Sequence, residues 1–208
     1  MKTSHFHDFQ PLKLLLILLF VSGTAFGQFD LYLTGGAGLG NYFNEIERDK
    51  TQAGFELKSI FAGSLGAEMT WESPSRFKPF IGLNFSFTGA DQEVRFDSII
   101  GSHYRFQYLS VPIGLRIRIY KSLGFEASCV NSFQIANKSR NTVLPKAATW
   151  DIAVQPAIYY QYKRWRGSLS YYFGFNDALG YGYIGGSDFR HFNRIILFNF
   201  AYRLSSFN

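Results

Sequence analysis

Residues 108–120 (YLSVPIGLRIRIY) place a large apolar side chain at every second position: Leu109, Val111, Ile113, Leu115, Ile117 and Ile119. A period of two is that of a β-strand with one apolar face. The opposite face carries Ser110, Pro112, Gly114, Arg116 and Arg118. Two arginines there are ordinary where that face meets water. A proline in the middle is not, because it deletes a ladder hydrogen bond. The fold has to accept both.

The alternation recurs. It runs through 29–43, 55–71, 81–88, 125–135, 150–162, 169–176 and 193–204, which with the opening stretch makes eight strands. Leu83, Phe85 and Phe87 alternate with Asn84, Ser86 and Thr88; Ile196, Phe198, Phe200 and Tyr202 alternate with Asn199, Ala201 and Arg203. Connections around 72–78, 121–123 and 163–166 are short. Those around 44–54, 89–105, 137–149 and 177–191 are longer and polar. Strict alternation of short and long connections predicts an all-β fold, an eight-stranded antiparallel up-and-down transmembrane β-barrel with short turns at one end and long loops at the other. Strands of about 10–14 residues cross roughly 30 Å of hydrocarbon when tilted, whereas globular strands average nearer 5 or 6.

The N-terminus fits export. Lys2 and Lys13 precede the apolar run 14–21 (LLLILLFV), and Ala25 and Gly27 supply a small-x-small site. This predicts a signal peptide over 1–27, cleaved after Gly27, and a barrel domain over 28–208. A lone cysteine, Cys129, excludes a disulfide framework within the chain. The formal net charge of +6 is scattered along the chain, so nucleic acid is not an expected partner.

In a barrel the apolar face of 108–120 meets lipid, and the opposite face points into the lumen. Parity then gives a lumenal polar set: Glu56, Lys58, Glu68, Arg116, Arg118, Glu126, Asp151 and Arg203. Eight strands enclose a space just wide enough to be filled by side chains. Buried charges there must pair or be hydrated, so a packed ion-pair network is expected. Pro112, and likewise Pro156, calls for a local bulge or a lumen-side water. Phe, Tyr and Trp make up 19% of the chain. They gather near strand ends, with Trp71, Phe77, Phe80, Tyr120, Tyr162, Trp165 and Tyr202 toward the short turns. Tyr42, Phe43, Phe55, Phe87, Tyr104, Phe106, Trp150, Phe175 and Phe192 lie toward the long loops. Two interfacial belts are the expectation.

Tyr108-Leu109-Ser110-Val111-Pro112 resembles the Tyr-Leu-x-Ile/Val-Pro strand of the PorT-like outer-membrane β-barrels of Bacteroidota. The glycine-rich 34–39 segment, Gly54-Phe55, Lys78-Pro79-Phe80 and Asn193-Arg194 extend the resemblance over nearly the whole mature chain. It implies an outer-membrane location, assembly by the barrel-assembly machinery at the C-terminal strand, and a link to type IX protein secretion through the family's namesake. It carries over no catalytic or ligand-binding residue.

Chemistry is sparse. His103 and His191 are the mature chain's histidines, both in expected outer loops. Ser187, Asp188 and His191, or Asp97, Ser102 and His103, could be read as rim hydrolytic clusters, or as plain loop residues. No Cys/His spacing suggests a metal, and no cofactor is expected. Gly35-Gly36-Ala37-Gly38-Leu39-Gly40 opens no helix, so it is not a phosphate loop; small residues there let the wall curve or lumenal groups pack closely. Lys138-Ser139-Arg140 could touch lipopolysaccharide phosphates. The leading expectation is a non-enzymatic barrel with a structural, binding or secretion-accessory role, in contact with outer-membrane lipid and an envelope or secretion partner. The alternatives are a rim-located hydrolase or acyltransferase, and a narrow pore.

Overall fold

The structure, a computed structural model, describes residues 28–44, 54–72, 75–95, 99–140, 149–178 and 191–207. The expected signal peptide lies outside the described residues. Eight strands follow one another: β1 (Phe29–Asn44), β2 (Gly54–Trp71), β3 (Phe77–Arg95), β4 (Ile99–Tyr120), β5 (Leu123–Arg140), β6 (Trp150–Tyr162), β7 (Trp165–Asp177) and β8 (His191–Phe207). Each pairs antiparallel with the next. β8 returns to β1 from Phe29↔Phe207 to Asn44↔His191, closing the barrel. Closure leaves no unpaired edge.

Alternation decides which way each side chain points. Leu33, Leu39, Leu65, Leu83, Ile113, Leu115, Leu169 and Phe198 are exposed on the outer wall. Tyr32, Glu68, Thr70, Ser110, Arg116, Ser132, Asp151 and Arg166 are buried inside. The molecule is therefore apolar outside and polar within.

Two short connections are two-residue turns, Lys121-Ser122 and Lys163-Arg164. Backbone bonds tie them to their neighbours: Gln161 N donates to Ser122 O at 2.8 Å, and Arg203 N to Arg164 O at 2.8 Å.

The strands are longer than expected, at 13 to 22 residues. At about 3.4 Å per residue and a tilt near 45°, β4 reaches roughly 50 Å along the axis, against about 30 Å of hydrocarbon. The segment 89–105, expected as a loop, is instead a projecting hairpin: β3 continues to Arg95 and β4 begins at Ile99. His103 lies within β4, and His191 is the first residue of β8.

Pro112 produces no bulge. The β3–β4 register is unchanged on either side of it, from Phe80↔Gly114 and Ile81↔Ile113 to Asn84↔Ser110. The ladder simply skips Gly82, Leu83, Val111 and Pro112, while the other side of β4 keeps Pro112↔Val130. Gly82 makes room: a Cβ there would lie 3.0 Å from Pro112 Cγ. Pro156 behaves alike. The β6–β7 ladder steps from Val154↔Phe173 to Ala157↔Ser170 without a shift. The irregularity of β4 against β5 sits at Gln107/Tyr108 and Arg118/Tyr120.

Candidate functional site

The lumen is built in three layers. Nearest the short turns is a charged plug. Arg116 projects inward from β4, where it pairs across the strands with Glu126 on β5. Its Nε donates to Glu126 Oε2 at 2.7 Å, its Nη2 to Glu68 Oε2, and its Nη1 to Thr70 Oγ1 at 2.7 Å. Arg166 Nη2 reaches the same Glu68 carboxylate at 2.9 and 3.0 Å. Two guanidiniums and two carboxylates thus neutralise one another across four strands. Aromatic rings support them, with Arg116 4.0 Å over Phe80 and Arg166 4.7 Å over Tyr32. At the rim, Arg203 Nη1 donates to the buried Asp30 at 3.0 Å.

The middle layer is polar and mostly uncharged. A chain of hydroxyls crosses it: Ser86 to Ser110 at 3.3 Å, Ser110 to Ser132 at 2.9 Å, Ser132 to Tyr172 at 3.2 Å. Tyr172 OH then donates to Asp151 at 3.1 Å. Asn193 Nδ2 and the backbone N–H groups of Phe175 and Asn176 also donate to Asp151. Asp151 is therefore satisfied by neutral donors, without the cationic partner that parity suggested. Two small cavities of about 60 Å³ lie in and below this layer, sharing Ser64, Asn84, Gln155 and Asn199. Each has room for a few water molecules. Gly36 faces the same space; a Cβ there would lie 2.7 Å from Ser64 Oγ. This is the close lumenal packing expected of the glycine-rich strand.

Toward the projecting β3–β4 hairpin the lumen is aromatic. Tyr42, Tyr104, Phe106 and Tyr108 pack with Ala90 and Ala178. Tyr42 and Phe106 meet edge to face at 6.1 Å. Tyr42, Tyr104 and Phe106 were expected in the outer belt and Phe80 in the inner one; all four point inward. Position near a strand end does not fix the face, and their even numbers do. Phe77, Tyr120, Tyr162 and Trp165 at one end, and Phe87, Trp150 and Phe175 at the other, are exposed on the wall.

Of the expected lumenal set, Glu68, Arg116 and Glu126 come together, Arg203 joins Asp30, and Asp151 sits in the middle layer. Arg118 is exposed beside the short turns, and among the described residues no ion pair reaches it. Lys58 leaves the set. β2 carries an extra residue between Ser59 and Gly63, which reverses the parity of its outer part. Lys58 is exposed and lies opposite Asp91 in the β2–β3 ladder. Glu56 pairs with Glu93, and its side chain lies outside the described residues. Arg166, Asp30 and Tyr32 were missed. Counting back from Ser170 and Ser168 on β7 reaches Arg166, which the expected 163–166 connection had hidden.

Asp91 Oδ1 on the projecting hairpin holds Arg105 Nη1 at 2.6 Å and His103 Nδ1 at 3.0 Å. Asp97, Ser187 and Asp188 lie outside the described residues, and so does the Ser102 side chain. Among the described residues no His, Cys, Asp and Glu cluster is arranged to hold a metal ion.

An apolar wall around a plugged polar interior is satisfied only by a bilayer, and it defines the class: a transmembrane β-barrel of the outer-membrane kind. The outer membrane is where the protein resides. Neisserial surface protein A has a similar structure (TM-score 0.52, 6% identity, 84% of this chain and 97% of that one). OprG of Pseudomonas aeruginosa (TM-score 0.46, 8% identity, 88% and 96%) and Ail of Yersinia pestis (TM-score 0.39, 13% identity, 86% and 99%) also align. At these identities the likeness concerns the fold, and the first of them supports it. No protein-family model matches the chain, and no curated protein sequence does.

Proposed function

We propose that this is a non-enzymatic outer-membrane barrel that works through its projecting β3–β4 hairpin and not through its lumen. The observation that carries the reading is the Glu68–Arg116–Glu126–Arg166 plug, which places paired, mostly buried charges from four strands across the lumen. Opening a path would strand buried charges, at several kcal/mol each. A transport role is thereby disfavoured. What remains is a membrane anchor with the long β3–β4 hairpin for binding, and the PorT-like motif at 108–112 points to a secretion-accessory role of the type IX kind. The mature chain would begin at Gln28 and reach the membrane through the barrel-assembly machinery.

One observation favours a second reading. Asp91 and His103 have the acid–histidine spacing of a rim hydrolase. Arg105 engages the same Asp91 oxygen, however, and the described contact of His103 is with that carboxylate alone. We read the trio as a polar surface of the hairpin.

Two measurements test the proposal. Purified protein in planar bilayers should show no steady conductance; stable open channels would overturn the closed lumen. A strain lacking the protein, complemented with His103→Ala, should regain export of a type IX cargo. Cargo export indifferent to the protein's absence would remove the secretion role, and loss of function in His103→Ala alone would favour the enzyme.

A further inference from the structure

The outer wall is not smooth. On β7, Gly167 lies between Tyr160 of β6 and Phe200 of β8. Its missing side chain opens a groove of about 340 Å³, lined by Leu123, Ile158, Tyr160, Leu169 and Phe198 with Gly167 at its floor. These residues are on the lipid-facing side, and the lining is almost wholly apolar.

The groove ends at two cationic turns. Leu123 follows Lys121-Ser122, and Tyr160 and Gly167 flank the hairpin end that carries Lys163-Arg164. The bond from Gln161 N to Ser122 O holds these turns side by side. Lys121, Lys163 and Arg164 are all exposed. Among the described residues no ion pair joins them to a carboxylate: Glu72 is taken by Lys78, and Asp30 by Arg203. Both lysines have left-handed backbones, with φ of 42° and 53°. Glycine or asparagine is easier there. Each lysine ammonium stands 5.3 Å from the ring of the tyrosine before it, Tyr120 or Tyr162. The rings fix the positive heads at the level of the aromatic belt, where lipid headgroups lie.

We propose that groove and turns together form a binding site for an anionic phospholipid of the leaflet on the short-turn side. One acyl chain lies along the Gly167 groove, and the phosphate sits between Lys121 and the Lys163-Arg164 turn. A zwitterionic headgroup would bring its own ammonium among three cations, so the site selects net negative charge. The phosphorylated glycolipid of the opposite leaflet is at the wrong end of the barrel.

The test is lipid retention by the full mature barrel, extracted from vesicles of equal phosphatidylglycerol and phosphatidylcholine and weighed by native mass spectrometry. The wild-type protein should retain phosphatidylglycerol selectively. Lys121→Asn with Lys163→Asn and Arg164→Gln keeps turn-compatible residues and should cut that selectivity at least about tenfold, at roughly fivefold per cation near a headgroup. Gly167→Leu should fill the groove and lower retention of both lipids. Gly167→Ala, whose Cβ would meet Phe198 at an ordinary 3.7 Å, should fold as the wild type does. Heat-modifiable mobility verifies folding of each variant. Equal retention of the two lipids by the wild type overturns the site. So does selectivity that survives loss of the three cations, or retention that survives Gly167→Leu.

Discussion

Arg116 and Glu126 are direct cross-strand partners on β4 and β5, and their ion pair closes at 2.7 Å inside the lumen. The same guanidinium reaches Glu68, two strands away on β2. One side chain thus cross-links strands that are not neighbours, β2 and β5, which ladder hydrogen bonds cannot do.

Removing that link should be costly. Arg116→Met leaves Glu126 without its cation and Glu68 with Arg166 alone. Breaking a buried pair by deleting one partner costs about 3–5 kcal/mol. Urea unfolding in vesicles, followed by tryptophan fluorescence, should show a loss of that order. Adding Glu68→Gln and Glu126→Gln should recover part of it, because neutral amides leave no stranded charge. A triple variant no more stable than Arg116→Met would mean that the network does not act as a unit.

The reversal of parity on β2 gives a labelling test. Cys129 is exposed on the wall, so Cys129→Ser comes first. In that background Lys58→Cys should react with a water-soluble, membrane-impermeant thiol reagent on the hairpin side. Leu115→Cys should react with a lipid-confined reagent, and Ser110→Cys with neither. Equal protection of positions 58 and 110 would show that Lys58 is lumenal and the extra residue of β2 inconsequential.

The barrel itself was legible in the sequence because its periodicity is unbroken along most strands and its short and long connections alternate. Lipid outside and paired charges inside followed from parity alone, as Glu68, Arg116 and Glu126 illustrate. Reading failed where parity is reset or hidden. One inserted residue between Ser59 and Gly63 moved Lys58, and assigning 163–166 to a turn concealed Arg166. The partners of Asp151 were illegible for another reason. Asn193 and Tyr172 come from two other strands, and their choice of a neutral cage over a cation depends on register, which one sequence does not specify. The reach of the β3–β4 hairpin was missed because 89–95 (GADQEVR) and 99–105 (IIGSHYR) do not alternate apolar with polar residues, and a strand above the membrane has no lipid-facing apolar stripe to mark it.

Gly82 and Pro112 should be coupled. A methyl at Gly82 would crowd Pro112 Cγ at 3.0 Å and Ala67 O at 3.2 Å. Gly82→Ala should therefore destabilise by about 1–3 kcal/mol, the usual range for overpacking. Pro112→Ala in the same chain removes the ring and restores an N–H, so it should relieve part of that loss. A double-mutant cycle in urea measures the coupling; strictly additive effects would mean that the ring and the glycine do not share space.

The closing seam reaches further along the C-terminus than the expected end at Leu204. Ser205, Ser206 and Phe207 pair with Leu31, Asp30 and Phe29, and the rings of Phe29 and Phe207 stack at 4.6 Å. An open edge in lipid leaves backbone groups without partners, each costing several kcal/mol. Deleting residues 199–208 removes the β8 partners of residues 29–36, about half of the seam, and should abolish heat-modifiable folding and membrane insertion. Deleting 205–208 removes only the last three pairs and the aromatic stack, at the rim where water can satisfy the freed groups. That chain should insert, with a lower urea midpoint than the full-length protein. The order of the two truncations is the test. Normal assembly of the 199–208 deletion would show that β8 does not close the barrel, and failure of the 205–208 deletion to insert would place the assembly signal in the last four residues instead of in the aromatic stripe Phe198, Phe200 and Tyr202.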